Sequence, residues 1–413
     1  MDIKNARLKR IRFRTLEGDH MHGFVIAARG ETHQFYSFAK EETNAWIDAL
    51  KQYVIMSDLH EEIVVKNLLG KGNSAKVHQC ERTTNSNRSF ALKTISKTHI
   101  KLNDSNTAAL LSEIDIMRFI NHSNIISLHE VYESTKYIHL LLPLYKGGEL
   151  FKQIKKKHLF KEYVAVGVMK NFLSALAYLH ENLIVHRDLK PENLVLADLN
   201  ELDDIKVIDF GLAARLKSPQ EKLDLRCGSP GYVAPEVLNN DGYNCKADIF
   251  SAGVIFYVIL TGRPLFQGTN AKSLLINNMK CKYEFNEYYW GRLSEEVKDL
   301  VMKMLHKDPE QRISAEEALQ HPWFSKDFSD DEANNALRSV DEGSQISSGD
   351  FEHMRRLANQ SKGMQLASQT PVYTQVKRDA PPETPSIYNQ AKSNKIRTPI
   401  VPFVNVKKAG KAE

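Results

Sequence analysis

Val185-His186-Arg187-Asp188-Leu189-Lys190-Pro191-Glu192-Asn193, followed after a short apolar run by Asp209-Phe210-Gly211, decides how the rest of this chain is read. The first segment presents a carboxylate, an ammonium and an amide close together, and the next loop adds a second carboxylate. A phosphoryl group leaving ATP carries its charge on oxygens, so a protein that moves one supplies metal ligands, a cation and a residue that orients the attacking hydroxyl. Asp209, Asn193, Lys190 and Asp188 are of those types. Either aspartate alone would more often be a cap or a turn former. Together, H-R-D-L-x-x-x-N and D-F-G make a multi-residue motif with defined roles.

Composition suits an enzyme with a large core. The 413 residues are 42% apolar, a length that suggests two or three domains. Cys80, Cys227, Cys245 and Cys281 are far apart, with no C-x-x-C pairing, so neither a disulfide framework nor a zinc site is indicated. The basic N-terminus, with Arg7, Lys9, Arg10, Arg12 and Arg14, lacks the apolar core of a signal peptide. The apolar run Ile249 to Leu260 is too short to span a bilayer and reads as a buried helix. A cytoplasmic protein is expected. The net charge of +5 does not argue for nucleic acid as a partner.

Residues 1–56 read as a small unit. Gly23 to Ala27 and His33 to Phe38 are expected strands joined by a turn at Arg29-Gly30. Glu42 to Val54 is expected to be an amphipathic helix laying Trp46, Ala49, Leu50, Tyr53 and Val54 on those strands. This order, closing on a helix with one Trp, resembles the C-terminal half of a pleckstrin-homology (PH) domain. The first strands of that family, which usually carry its phosphoinositide-binding basic residues, do not precede Met1, so phosphoinositide membrane binding is not expected. The cations from Lys4 to Arg14 read as a solvated strand face. A partial barrel leaves strand edges that need covering, by the next domain or by a second copy. Residues 57–62 are read as a linker.

From Ile63 the pattern becomes strand, glycine turn, strand. Leu69-Gly70-Lys71-Gly72-Asn73-Ser74-Ala75-Lys76-Val77 would let backbone amides approach a polyphosphate. Alone, that loop reads equally as a hairpin turn. Phe90-Ala91-Leu92-Lys93 then offers a lysine at the end of an apolar strand. The helix from about Thr107 to Ile120 carries Glu113 beside an apolar face of Leu110, Leu111, Ile114, Met117 and Ile120. An unpaired buried carboxylate is costly, so Glu113 is the expected partner of Lys93.

Residues 63–324 thus resemble a eukaryotic protein kinase, a two-lobed α+β fold with a small β-rich lobe and a large helical one. Gly147-Gly148-Glu149-Leu150-Phe151, Lys190-Pro191-Glu192-Asn193, Gly231-Tyr232-Val233-Ala234-Pro235-Glu236 and His321-Pro322-Trp323-Phe324 resemble the calcium/calmodulin-dependent group of serine/threonine kinases. The resemblance implies ATP and Mg2+ as cofactors and proteins bearing Ser or Thr as substrates. It implies that Asp188 accepts the proton of the substrate hydroxyl, Lys190 contacts the transferring phosphate, and Asn193 and Asp209 hold Mg2+. Lys93 would bind the ATP phosphates and Glu113 would hold Lys93. Leu142 would be the gatekeeper, with Pro143, Leu144 and Tyr145 as hinge. Leu69, Val77, Ala91 and Val195 would sandwich the adenine, and Glu149 would touch ribose. Asp248 would tie the catalytic loop from beneath, and Glu236 would meet Arg312. Glu149 and Glu192 align with carboxylates that face an arginine three residues before the acceptor.

Three departures stand out. Ala75 replaces the third glycine of the loop. Pro143 stands where a hinge Glu is usual and removes an N–H. Leu225 occupies the place of an activating threonine, and no Ser or Thr lies between Pro219 and Gly228. Independence of activating phosphorylation is expected, with Asp224 either a weak partner for Arg187 or a solvated loop residue. A scaffold without transfer usually lacks the lysine or an aspartate; Lys93, Asp188 and Asp209 are all present. Residues 325–413 are polar and read as a disordered regulatory tail. Thr370-Pro371, Thr384-Pro385 and Thr398-Pro399 could accept phosphate or serve as spacers. Within the tail, 351–366 is the candidate calmodulin-binding or inhibitory helix, with a thin apolar face.

Overall fold

The computed structural model describes residues 3–14, 19–72, 75–100, 104–150, 152, 160–199 and 201–329. The C-terminal tail, with 351–366 and the Thr-Pro sites, lies outside them, as do Asn73 and Ser74. In chain order the elements used below are β1 (Arg7–Arg14), β2 (His20–Ala28), β3 (Glu31–Ser37), α1 (Lys40–Leu50), β4 (Ile55–Met56), α2 (Leu59–Glu62), β5 (Ile63–Lys71), β6 (Ala75–Arg82), β7 (Asn85–Ser96), α3 (Asp104–Phe119), β8 (Glu130–Glu133), β9 (Tyr137–Pro143) and β10 (Gly148–Glu149). They continue with α4 (Glu162–Glu181), β11 (Ile184–Val185), β12 (Leu194–Leu196), β13 (Ile205–Val207), β14 (Ala214–Arg215), α5 (Pro235–Asn239), α6 (Lys246–Thr261), α7 (Ala271–Met279), α8 (Glu295–Met304) and α9 (Ala315–Leu319). The described chain divides into two compact units, residues 3–62 with 130–135, and residues 63–129 with 136–329.

In the first unit the sheet order is β3-β2-β1-β4-β8. The β2–β3 hairpin closes on Arg29 and Gly30 at φ +50° and +83°. Two positive φ values give the turn a twist that matches right-handed strands. Gly23 permits a close β2–β3 approach, because a Cβ there would stand 2.2 Å from the Phe35 carbonyl oxygen. β1 continues into parallel pairing with β4, and β4 pairs in parallel with β8 through Ile55 to Val131 and Met56 to Tyr132. The strand edge that the sequence left open is therefore covered by a segment drawn from far along the same chain.

Two expectations change here. The helix spans Lys40–Leu50 and buries Thr43 and Ile47, leaving Trp46 49% exposed. Its inward stripe is rotated from the expected one, and Val54, wholly buried, lies beyond the helix. Nor is the cationic strand face simply solvated. Arg10 binds Glu62 at 2.7 Å and Asn44 at 2.8 Å, and Lys51 binds Glu62 at 2.9 Å. The Tyr132 hydroxyl, with one hydrogen to share, lies 2.5 Å from a Glu130 carboxylate oxygen and 3.0 Å from one of Glu62, so β8 joins the same polar knot.

In the second unit a sheet ordered β5-β6-β7-β9 precedes a largely helical region. α4 buries Ala165, Val168, Phe172, Leu176 and Leu179 at helical spacing. It packs on α6, which is buried on every side, as its continuous apolar composition requires. Two short sheets, β10-β12-β13 and β11-β14, frame the loops that carry the catalytic motifs. Among the described residues no helix is long and apolar enough to cross a membrane.

Candidate active site

Lys93 is delivered by β7, whose alternation buries Leu92 and turns Lys93 toward the cleft, opposite Val77 on one neighbour and Leu140 on the other. Its Nζ donates to Glu113 at 2.7 Å and to Asp209 at 2.9 Å. Glu113 reaches it from α3, which buries Ile114, Ile116, Met117 and Glu113 itself. Leu111, expected on that apolar face, is 38% exposed, and Ile116 takes its place. Burial pulls the Lys93 ammonium down, but Asp209 and Glu113 together outweigh it and hold it above the ordinary lysine range. The Lys93 ammonium in turn holds Asp209 well below the usual carboxylate range, against the opposing effect of burial. Dense protein surrounds Asp209, yet 46% of its side chain stays open on the cleft side.

The catalytic loop is hung from Asp248, at the start of α6. Its carboxylate accepts from His186 N at 2.8 Å and Arg187 N at 3.0 Å, and pairs with His180 Nε2 at 3.1 Å. Burial opposes its ionisation, but these contacts keep it below the ordinary carboxylate range. His186 is wholly buried against Phe210 and bonds Ile208 O at 3.1 Å, coupling this loop to the next. Arg187 and Asp209 both hold positive φ, +70° and +67°. Such conformations are disfavoured for residues with a Cβ and persist where surrounding contacts over-determine them.

Asp188 sits at the centre. Lys190 Nζ donates to its Oδ2 at 2.5 Å and Ser229 Oγ to its Oδ1 at 2.6 Å, while Lys190 also donates to Ser229 Oγ at 3.0 Å. Asn193 Nδ2 donates to Asp188 O at 2.7 Å. Burial lowers the Lys190 pKa, but Asp188 leads a set of carboxylates that moves it above its ordinary value.

The nucleotide-site candidates assemble from paired strands. Gly70 faces Val77 and Lys71 faces Lys76 across β5–β6, and Gly72 N donates to Ala75 O at 2.8 Å. Ala91 faces Leu142, and Val195 faces Glu149. Leu69 is 49% exposed. Pro143 lies at the end of β9 and Leu144 and Tyr145 follow, with Lys206 Nζ 5.9 Å from the Tyr145 ring centre.

Residues 63–324 match the family model described as protein kinase domain. The chain belongs to the protein kinase family. Its kinase domain transfers phosphate from ATP to serine and threonine hydroxyls. The chain is 39% identical over 310 residues to probable serine/threonine-protein kinase 2 of Plasmodium falciparum (isolate K1 / Thailand), covering 74% of this chain and 58% of that protein. It is 38% identical over 285 residues to myosin light chain kinase A of Dictyostelium discoideum, covering 69% and 94%. Calcium/calmodulin-dependent protein kinase type 1 of Caenorhabditis briggsae is 36% identical over 269 residues, covering 65% and 74%.

In this kinase the Asp224–Arg187 pairing is not formed. Arg187 donates instead to Leu212 O, and its Nη1 lies 3.5 Å from the Tyr243 hydroxyl. Tyr243 donates to Leu225 O at 2.7 Å and exchanges two backbone bonds with Leu223. A tyrosine, whose hydroxyl burial pushes far above its ordinary range, thus stands between the loop arginine and the activation segment. Nothing in the sequence motif marks Tyr243. Ser229 Oγ touches the Asp188 carboxylate directly.

Two protein groups suit a hard divalent cation, the ionised carboxylate of Asp209 and the amide oxygen of Asn193, whose nitrogen is already committed to Asp188. No cluster of three or more His, Cys, Asp or Glu among the described residues could hold a metal alone. This sparse donor set fits a small ion that keeps waters and takes phosphate oxygens for its remaining ligands.

Proposed function

We propose that this kinase uses Mg2+, prefers Ser or Thr with arginine upstream, and needs no phosphate on its own activation segment. The observation that carries the catalytic part is the triangle Asp188–Lys190–Ser229 set beside the Lys93–Glu113–Asp209 chain. Asp188 accepts the hydrogen bond of the incoming hydroxyl, orients its oxygen toward the terminal phosphorus, and takes the proton as the new oxygen–phosphorus bond forms while the bond from that phosphorus to its bridging oxygen breaks and ADP leaves with the electron pair. Lys190 sets positive charge beside the transferring oxygens. Lys93, fixed by Glu113, fulfils the same role for the inner phosphates. Asp209 and Asn193 would hold Mg2+, which when bound would supply positive charge to the phosphate oxygens. The domain's contribution is positioning and electrostatics, as phosphoryl transfer requires.

Substrate preference is supported by Glu192, whose Oε2 is buried without a hydrogen-bond partner among the described residues. Such an atom is costly unless something donates to it. With the half-buried Glu192 side chain turned to bring that oxygen outward, an arriving guanidinium would satisfy it, and Glu149, 29% exposed and paired with Lys152 at 3.1 Å, adds charge of the same sign. Phosphate independence is supported by the Arg187–Tyr243–Leu225 contacts. The strand–strand–strand–helix order of residues 7–50 supports the partial PH-like reading of the leader. For calmodulin, the relatives supply the plausibility, and 351–366 is the segment to test.

The test is transfer of the ATP terminal phosphate to an Arg-x-x-Ser peptide by chain made without an upstream kinase, with Asp188→Asn as control. Transfer that is lost in the control and weakened when Lys replaces the peptide arginine is expected. Transfer only after treatment with another kinase would defeat the phosphate-independent part, and equal rates on both peptides the arginine preference.

A further inference from the structure

One buried polar side chain is used by none of these contacts. Asn278, near the end of α7, is fully buried. Its Oδ1 accepts from Gly231 N at 2.9 Å and its Nδ2 donates to Val233 O at 2.8 Å. A buried amide is tolerated where its partners are supplied, and here both are main-chain groups of one turn. That turn, Ser229 to Val233, is closed by Tyr232 N and Val233 N donating to Ser229 O at 3.1 and 3.2 Å. At its middle Gly231 holds φ +86°, a conformation that glycine permits but does not enforce. At its start Ser229 Oγ donates to Asp188 Oδ1. A hydroxyl that approaches Asp188 from the Ser229 side would bring the peptide that carries it along this turn.

We infer that Asn278 is a positioning residue for the protein substrate, holding the 229–233 turn in the register that presents Ser229 to Asp188 and gives the peptide its floor. The inference rests on the reading of Asp188 as the group that orients the acceptor. An amide suits the task because one planar group accepts and donates at fixed spacing, defining two points of a main chain at once. Leucine at this position could fill the volume, but would leave the Gly231 N–H and the Val233 carbonyl without partners.

Full-length chain with Asn278→Leu or Asn278→Asp tests it. Asn278→Leu is expected to raise the KM for an Arg-x-x-Ser peptide by about ten- to a hundredfold, the scale of two lost hydrogen bonds, while the KM for ATP moves less than about twofold. Asn278→Asp keeps the acceptor for Gly231 but, when ionised, has no hydrogen to give Val233 O. Its peptide KM is expected to be raised at pH about 8 and to recover toward wild type at pH about 6, as the buried carboxyl takes up a proton. Should the leucine variant fail to fold, this pH recovery carries the test. Amide hydrogen exchange at Gly231 needs no turnover and is expected to quicken by at least about tenfold in Asn278→Leu. Unchanged exchange at Gly231, equal shifts in both KM values, or a fall in Tm with neither KM moved would each overturn the inference. An inactive wild type would sink both the reading of Asp188 and the substrate role of Asn278 that rests on it, and quickened exchange would then show only that Asn278 holds the turn.

Discussion

Two ionic clusters in the second unit use the same chemistry to opposite ends. At Glu236–Arg312 every guanidinium N–H is spent: two on the carboxylate at 2.6 and 3.0 Å, and others on His306 O, Lys246 O and Lys307 O. The arginine side chain is wholly buried. At Lys93–Glu113–Asp209 the lysine is held from both sides, yet almost half of the Asp209 side chain stays open. A closed cluster stores its electrostatic energy in the fold, whereas an open one keeps charge available for a ligand. Saturation, more than the presence of a salt bridge, separates scaffold from site.

That contrast can be broken most forcefully at the open end. Asp188→Asn is expected to cut peptide phosphorylation by about 10²- to 10⁴-fold, the range of a lost general base, with Tm nearly unchanged; a large fall in Tm would show that Asp188 belongs with the closed clusters. At the closed end Arg312→Ala should cost about 3–5 kcal/mol in denaturant unfolding by stranding Glu236, while kcat per folded molecule holds. Lost turnover in the fraction that remains folded would erase the distinction.

The knot of the first unit sharpens the comparison, because it too is closed. Glu62→Gln is expected to cost about 1–2 kcal/mol through weakened charge-assisted bonds to Arg10 and Lys51, seen as faster amide exchange at Tyr132. The smallest effect is that of pH. Burial resists ionisation of Glu62, but Lys51 and Arg10 outweigh it and lower its pKa from 4.5. Burial likewise opposes the Lys51 charge, but Glu62 leads the contacts that raise its pKa from 10.5. The Glu62 contribution is therefore complete above pH 4.5 and fades as acid carries the pH through the lower folded value. The Lys51 contribution is complete below pH 10.5 and fades as base passes the higher one. Exchange at Tyr132, corrected for intrinsic rates, should report a flat stability between those limits; a slope near pH 7 would mean that another group titrates in the knot.

Much of the site was readable from residues whose charge has a partner fixed by chemistry. Lys93 with Glu113, Glu236 with Arg312, and Asp248 under the catalytic loop stand where the motifs placed them. Neutral side chains were opaque. Tyr243 and Asn278 act through backbone groups, and a hydroxyl or amide beside a main chain leaves no pattern in sequence. Trp46 misled because a one-residue change in helix phase turns a bulky side chain outward by 100°, and periodicity alone does not fix that phase. The β4–β8 pairing joins residues too distant in sequence for any local signal.

That last pairing bears on inheritance. The family match begins at residue 63, yet strand Glu130–Glu133, inside the matched span, shares its sheet and its polar knot with residues 7–62. A recombination event that swapped the leader as a cassette would carry off Ile55, Met56 and Glu62 and leave Val131 and Tyr132 behind. The leader and that strand therefore have to change together, as two halves of one evolutionary unit that the chain order happens to separate.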